Sequence, residues 1–168
     1  AASTTLEGKS DDTSVASVSK AIPSKGNWAY NSGKITSDIA KGALSFGGYS
    51  EPITGRDKVY IDFPITANRK IEITNIEVSY GNHGTSNMAC QIMWLKNGNK
   101  GNIADDTDRQ VRNTKKSYRA YPTVIAEKGE TVTIRVILYG LNGTGDIPIP
   151  TGKSPTIGTV IINGRAAK

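Results

Sequence analysis

The chain predicts an all-β protein, an antiparallel β-sandwich of two sheets with a jelly-roll-like order. Three observations predict it. The 168 residues include 18 glycines and 7 prolines, and short apolar runs end at Asn-Gly and Gly-Gly pairs, as strands bounded by tight turns do. Apolar residues alternate with polar ones at a spacing of two, the period of a strand with one buried face. The clearest case is Gly129–Tyr139: Val132, Ile134, Val136 and Leu138 share one face, and Thr131, Thr133, Arg135, Ile137 and Tyr139 share the other. The length suits one domain large enough to bury its own core.

Residues 1 to 25 are rich in Ser, Thr, Lys and Asp, with Leu6, Val15, Val18 and Ile22 as scattered aliphatics. They read as a linker or tag-like segment leading into a domain over residues 26–168, with a short edge strand at Val15–Val18 as the alternative. Asn27–Asn31, Lys34–Ser37 and Ala43–Phe46 are small strands with turns. Lys58–Thr66 directs Val59, Ile61, Phe63 and Ile65 inward, and Pro64 marks an edge or a bulge. Ile71 and Ile73 then hold odd positions, whereas Ile76, Val78 and Tyr80 hold even ones. That slip of phase at Thr74-Asn75 predicts a β-bulge or a strand that changes sheets.

Gly81–Asn87 is a turn-rich connection. Met88–Leu95 is apolar on both faces except at Gln91, which predicts a central strand. Asn97–Asn102 is a strong turn signal leading into a polar segment, Ile103–Ser117. Tyr118–Ile125 resumes extended structure, Leu141–Pro155 reads as a loop, and Ile157–Ile162 is the last strand. There is no internal repeat.

Charge speaks to partners. Lys plus Arg number 21 against 15 Asp plus Glu, a formal +6, so an anionic ligand is favoured. Nucleic acid is the weaker choice, because the cation-rich stretches lack the aromatics on which bases stack. No run approaches the ~20 apolar residues of a membrane helix. The start at Ala1-Ala-Ser reads as the beginning of an excised piece, so the lack of a signal peptide does not argue for a cytoplasmic home. Cys90 is the one cysteine; it permits no internal disulfide or cysteine-based metal site and reads as a buried thiol.

Arg109, Arg112, Lys115, Lys116 and Arg119 fall in one stretch that contains no acid. Such a cluster holds anions by charge-assisted bonds, bidentate where arginine meets a carboxylate; the alternative is a solvated loop balancing Asp105, Asp106 and Asp108. Arg135 and Tyr139 share a strand face that an extended ligand could cross, the alternative for Arg135 being a cross-strand ion pair with Glu72 or Glu77. Trp28, Tyr30, Trp94 and Tyr118 are the aromatics that could stack on sugar rings. Trp94 reads as core, and Trp28, between Asn27 and Asn31, is a candidate for a surface platform with core as the alternative.

Asp105, Asp106 and Asp108 follow a Gly/Asn-rich turn and are a candidate site for a structural calcium, although the helical calcium loop wants Gly at its sixth position and Glu at its twelfth. No other cofactor is expected. Catalysis lacks parts: His83 is the one histidine, which leaves no Ser/His/Asp or multi-histidine metal site. An alginate-lyase type sandwich carries a Gln-Ile-His or Gln-Val-His strand and a Tyr-Phe-Lys-Ala-Gly strand. Here Gln91-Ile92 is followed by Met93, and the second motif is missing, so the protein is not expected to be an enzyme.

The stretch Ala126–Tyr139, with its Gly-Glu-Thr-(apolar)-Thr-(apolar)-Arg strand, and Ser154–Gly164, with its terminal (apolar)-x-(apolar)-x-Gly strand, resemble the non-catalytic β-sandwich modules attached to pectate lyases and pectin esterases of gut and rumen bacteria. The resemblance implies a secreted bacterial carbohydrate-binding module of plant cell-wall degradation. It implies binding of pectin, in particular homogalacturonan, through lysines and arginines that meet the uronate carboxylates, and targeting of an attached enzyme in a larger multidomain chain. Arg135 matches the strand arginine of the pattern. Tyr139 stands where that family often has an aromatic-rich run, but Gly140-Leu141 replaces the second aromatic, so charge is expected to matter there more than stacking. A monomer is expected. The alternatives are a structural or adhesion β-sandwich without a glycan site and, behind it, a small β-sandwich polysaccharide lyase.

Overall fold

The computed structural model describes residues 3–4, 13–14, 17–22, 26–31, 44–45, 56, 59–83, 88–111, 115–142, 145–147 and 154–168. Strands account for all of its regular structure: β1 (Ser3–Thr4), β2 (Thr13–Ser14), β3 (Ser17–Ile22), β4 (Gly26–Asn31), β5 (Leu44–Ser45), β6 (Val59–Ala67), β7 (Ile71–His83), β8 (Met88–Lys96), β9 (Asn99–Val111), β10 (Lys115–Ala120), β11 (Val124–Ala126), β12 (Thr131–Asn142), β13 (Gly145–Ile147) and β14 (Ser154–Ala166). One sheet runs β1-β14-β7-β10, with β11 also on β7 and β5 also on β14. The other runs β4-β3-β6-β12-β8-β9, with β13 also on β12 and β2 also on β6. Pairing is antiparallel apart from the short β1–β14 contact.

The sheets pack face to face, because one core cluster takes Ile61, Phe63, Ile65, Ile92, Ile134 and Val136 from β6, β8 and β12 and Ile71, Ile76, Val78, Val160 and Ile162 from β7 and β14. These side chains are fully or almost fully buried. Burying a single Ile or Phe contributes about 1.5–3 kcal/mol, so this layer is the main source of stability. Cys90 lies within it as a buried free thiol.

The slip of phase at Thr74-Asn75 is a bulge. In the β7–β14 ladder Asn163 faces Asn75 and Gly164 faces Ile73, leaving Thr74 without an opposite number. On its other side β7 changes partner at the same place, from β11 over residues 71–73 to β10 over residues 76–81. Pro64 sits in β6 between the residues paired with β3 (60–62) and those paired with β2 (66–67), where its missing N–H breaks neither short ladder.

Asn97 and Gly98 form a two-residue hairpin with φ of 53° and 78°, closed by the Lys96–Asn99 pair. Positive φ at both central residues is what makes Asn-Gly the favoured sequence here. Other boundaries depart from expectation. The turn ends at Gly98, and most of the polar segment 103–117 is strand: β9 is outermost in its sheet and needs few apolar side chains, so the alternating signal is lost. Within 141–155, residues 145–147 form β13 on β12. The strands β1, β2 and β3 fall inside residues 1–25, and β2 and β3 pair with β6.

Candidate functional site

The topology brings much of the candidate chemistry to one edge of the sandwich. Strand β9 ends one sheet, and β10 and β11 border β7 at the edge of the other. Strands β9 and β10 touch across the sheets. Arg109 therefore shares an edge with Lys115, Lys116 and Arg119. In the β8–β9 ladder, Asp106 faces Cys90 and Val111 faces Met88, so residues 107–110 oppose Ala89 alone. The ladder is irregular there, and Arg109 lies within the irregularity. Lys115 and Lys116 are placed by their pairing with Gly81 and Tyr80; their side chains, that of Arg109 and the whole of Arg112 lie outside the described residues.

At the other end of this edge, Trp94, Lys96, Thr123, Val124 and Ile125 line a cleft of about 260 Å³. Trp94 is half-buried against the core, so it is neither fully core nor a free platform. Its indole lies flat against Gly101, its neighbour in β9: a Cβ there would come within 2.5 Å of the ring. The Lys96 ammonium donates to the Ile125 carbonyl at 3.0 Å and lies 3.8 Å from Glu130, tying the two sheets together. No carboxylate is among the described residues that line the cleft. Tyr118 packs half-buried on the core, and Tyr121 is 72% exposed close by in sequence.

Arg119 is engaged within the protein. Its guanidinium donates to Glu77 at 3.0 Å, and hydrogen bonds to Tyr121 first and Glu77 second hold its pKa above the usual arginine value.

The face of β12 that carries Arg135 is also self-occupied. Arg135 does form a cross-strand ion pair, but with Asp62 on β6 rather than with Glu72 or Glu77: Nε donates to Oδ1 at 2.8 Å and Nη2 to Oδ2 at 2.9 Å. Glu72 and Glu77 lie on β7 in the other sheet, where they pair with Arg165 and Arg119. The Arg135 guanidinium also stacks 3.9 Å above Tyr60. Tyr139 is buried, at 1% exposure. Its hydroxyl donates to Asp105, and Arg56 covers its ring at 4.0 Å while pairing with the same Asp105. A guanidinium thus takes one face of the Tyr139 ring.

Asp105 consequently serves Tyr139 and Arg56. Asp105 and Asp106 are consecutive strand residues opposite Gln91 and Cys90. Among the described residues no three His, Cys, Asp or Glu side chains gather as a metal site; the Asp106 and Asp108 side chains lie outside that description. Trp28 is on β4, at the far edge of the sheet that β9 ends. Five strand spacings separate the two, roughly 24 Å, so Trp28 does not join the Arg109–Arg119 edge.

The sequence reading missed the cleft. Lys96 and Thr123–Ile125 carry no motif, and only the pairing of β8 beside β9 and β11 beside β7 juxtaposes them.

No family model matches the chain, and no curated protein matches its sequence. Among solved structures it is similar to a chain described as "CBM4 structure and function", a carbohydrate-binding module, at TM-score 0.36 and 9% identity over 77% of this chain and 99% of that one. It is also similar to the structure of infectious bursal disease virus Gx strain, at TM-score 0.34 and 8% identity over 71% of this chain and 30% of that one. Likenesses this distant carry no argument about function.

Proposed function

We propose that the chain is a non-catalytic carbohydrate-binding module that takes an acidic polysaccharide of the homogalacturonan type along the β9–β10 edge. The observation that carries this reading is the gathering, on one edge, of the Trp94 cleft with the strand positions of Arg109, Lys115, Lys116 and Arg119 on a molecule of net charge +6. An aromatic ring beside a cationic track suits a chain of carboxylated sugars. The indole edge and the apolar Val124 and Ile125 meet the C–H faces of a ring, and Arg109, Arg112, Lys115 and Lys116 meet its carboxylates. Arg119 and Tyr118 lie within the track. Arg135 and Tyr139 drop from ligand contact to sheet-holding roles, since each is occupied inside the protein.

On this reading the module works outside the cell as part of a larger chain, and directs an attached enzyme to plant cell wall. Exposed charge pairs contribute about 0–1 kcal/mol each, and they are screened within about 10 Å at 0.1 M salt. Binding is therefore modest and weakens as salt rises. Affinity electrophoresis through gels of de-esterified and heavily methyl-esterified pectin tests this: the de-esterified polymer retards the protein more, and equal retardation would refute the carboxylate mechanism. Polygalacturonate incubated with the protein yields no unsaturated, ultraviolet-absorbing product.

One observation favours a structural or adhesion role instead: Arg119, Arg135 and Arg165 all satisfy their charge within the protein. Retardation by neither pectin would turn the balance to that reading.

A further inference from the structure

The β8–β9 hairpin has a second concavity on its other side. Leu95, Lys100, Thr131 and Thr133, with residues of the Asn97–Gly98 turn, line a groove of about 380 Å³. Thr133 faces Leu95, and Leu95 faces Lys100, so these three form a row across β12, β8 and β9. Thr131 and Thr133 belong to the face of β12 opposite to the buried Val132 and Ile134, which puts the groove on the outer face of the larger sheet. Thr131 shares its hydroxyl with Thr66 at 2.8 Å. The next row holds Arg135, closed on Asp62, and walls off the groove.

Two features set this groove apart from an ordinary patch of sheet. Among the described residues its lining holds Lys100 and Lys96, the latter paired with Glu130, and no carboxylate, although the chain as a whole carries 15 acids. Lys100 is exposed and makes no ion pair or hydrogen bond among the described residues. Glu130 is engaged by Asn97, the Glu127 amide and Lys96.

We propose that this groove is a second subsite for a uronate-bearing sugar chain, an inference that rests on the acidic-polysaccharide reading above. Lys100 meets a carboxylate, the threonine and asparagine side chains meet sugar hydroxyls, and Leu95 supplies an apolar floor for a C–H face. No aromatic is among the described residues that line the groove, so recognition there depends on charge and hydroxyls. Lys96 lines both this groove and the Trp94 cleft, so the two subsites lie on the two sides of one hairpin arm. A polymer that engages both gains avidity over a short oligomer, since the second contact becomes intramolecular.

The test is a titration of isotope-labelled protein with an oligogalacturonide, followed by amide NMR, for wild type and Lys100→Gln. In the wild type, resonances at Lys100, Thr131 and Thr133 move together with those at Thr123–Ile125. In Lys100→Gln the groove shifts shrink, those at Thr123–Ile125 persist, and affinity for polygalacturonate falls about two- to fivefold, the scale of one exposed ion pair. Shifts confined to Thr123–Ile125 would overturn the second subsite and leave the proposed function standing. Shifts at neither place would overturn both. Equal groove shifts with a neutral oligosaccharide of the same length would overturn the uronate assignment.

Discussion

Arg135 and Asp62 face each other across β12 and β6 and close a two-bond fork, with Nε–Oδ1 and Nη2–Oδ2 at 2.8 and 2.9 Å and side chains only 20% and 15% exposed. A charged residue in the middle of a strand is thereby a structural pair. Asp62→Ala leaves the guanidinium without its fork, at a cost of about 2 kcal/mol, the scale of hydrogen bonds to charged groups. Urea unfolding measures this. Because the pair is occupied internally, glycan affinity of the refolded variant stays within about twofold, below half a kcal/mol; a tenfold loss would restore Arg135 to the ligand.

Trp94 reports directly on the cleft. The protein has two tryptophans, and Trp28 lies at the opposite edge of the sheet. Polygalacturonate quenches or shifts the fluorescence of the wild type and of Trp28→Phe but not of Trp94→Phe. The exposed Tyr121 offers a milder probe: Tyr121→Ala leaves the unfolding midpoint nearly unchanged and weakens binding by about 0.5–1.5 kcal/mol if the ring stacks on sugar. No loss would place the chain's stacking contact at Trp94 alone.

Gly101→Ala sets a methyl group 2.5 Å from Cε2 and Nε1 of Trp94. Either the indole or β9 must move, which costs about 1–3 kcal/mol, the range for an overpacked site. The same displacement reshapes the cleft, so binding and stability fall together. In the background of Trp94→Leu the alanine costs less, since the ring it meets is gone; additive losses would show that the clash is relieved elsewhere.

Glu130 makes the hairpin sensitive to acid. Its carboxylate accepts from the Glu127 amide at 2.7 Å and from the Asn97 side chain at 2.8 Å. The Glu127 bond first, then Asn97, with a smaller contribution from Lys96, hold its pKa below the ordinary value of 4.5, while burial opposes them. A carboxylate with a depressed folded pKa stabilises the protein fully above its unfolded pKa and loses that contribution as pH falls through the folded one. Glu130→Gln is therefore less stable than wild type at pH 7, and the two urea midpoints converge as the pH falls below the ordinary glutamate range and through the depressed folded pKa. A gap that stayed constant from pH 7 to 3 would assign the effect to packing.

Gly98 has φ of 78° and nothing within 4 Å of a would-be Cβ, so Gly98→Ala isolates backbone strain. It lowers stability by about 1–2 kcal/mol, the cost of a left-handed conformation for an L side chain, measured by the thermal midpoint. The turn also borders the outer groove, so any binding loss appears at Lys100 and Thr133 before it appears at Thr123–Ile125.

What the chain determines by itself is local. Alternation at a spacing of two placed Ile61, Phe63, Ile65, Val132, Ile134 and Val136 in the core, because burial of one sheet face is written into neighbouring residues. The slip at Thr74-Asn75 announced the bulge for the same reason, and Asn97-Gly98 announced its hairpin because those two residues tolerate positive φ. Strand β9 was not legible: a polar edge strand buries too little to alternate. Tertiary structure alone decided which acid meets Arg135, since Asp62 is 73 residues away and becomes its neighbour only when β6 pairs with β12. It likewise decided that Arg56 would cover Tyr139, and that Trp94 and Ile125, on strands of different sheets, would border one cleft. Such contacts depend on strand order, and strand order is set by the packing of whole sheets rather than by any stretch of sequence read alone.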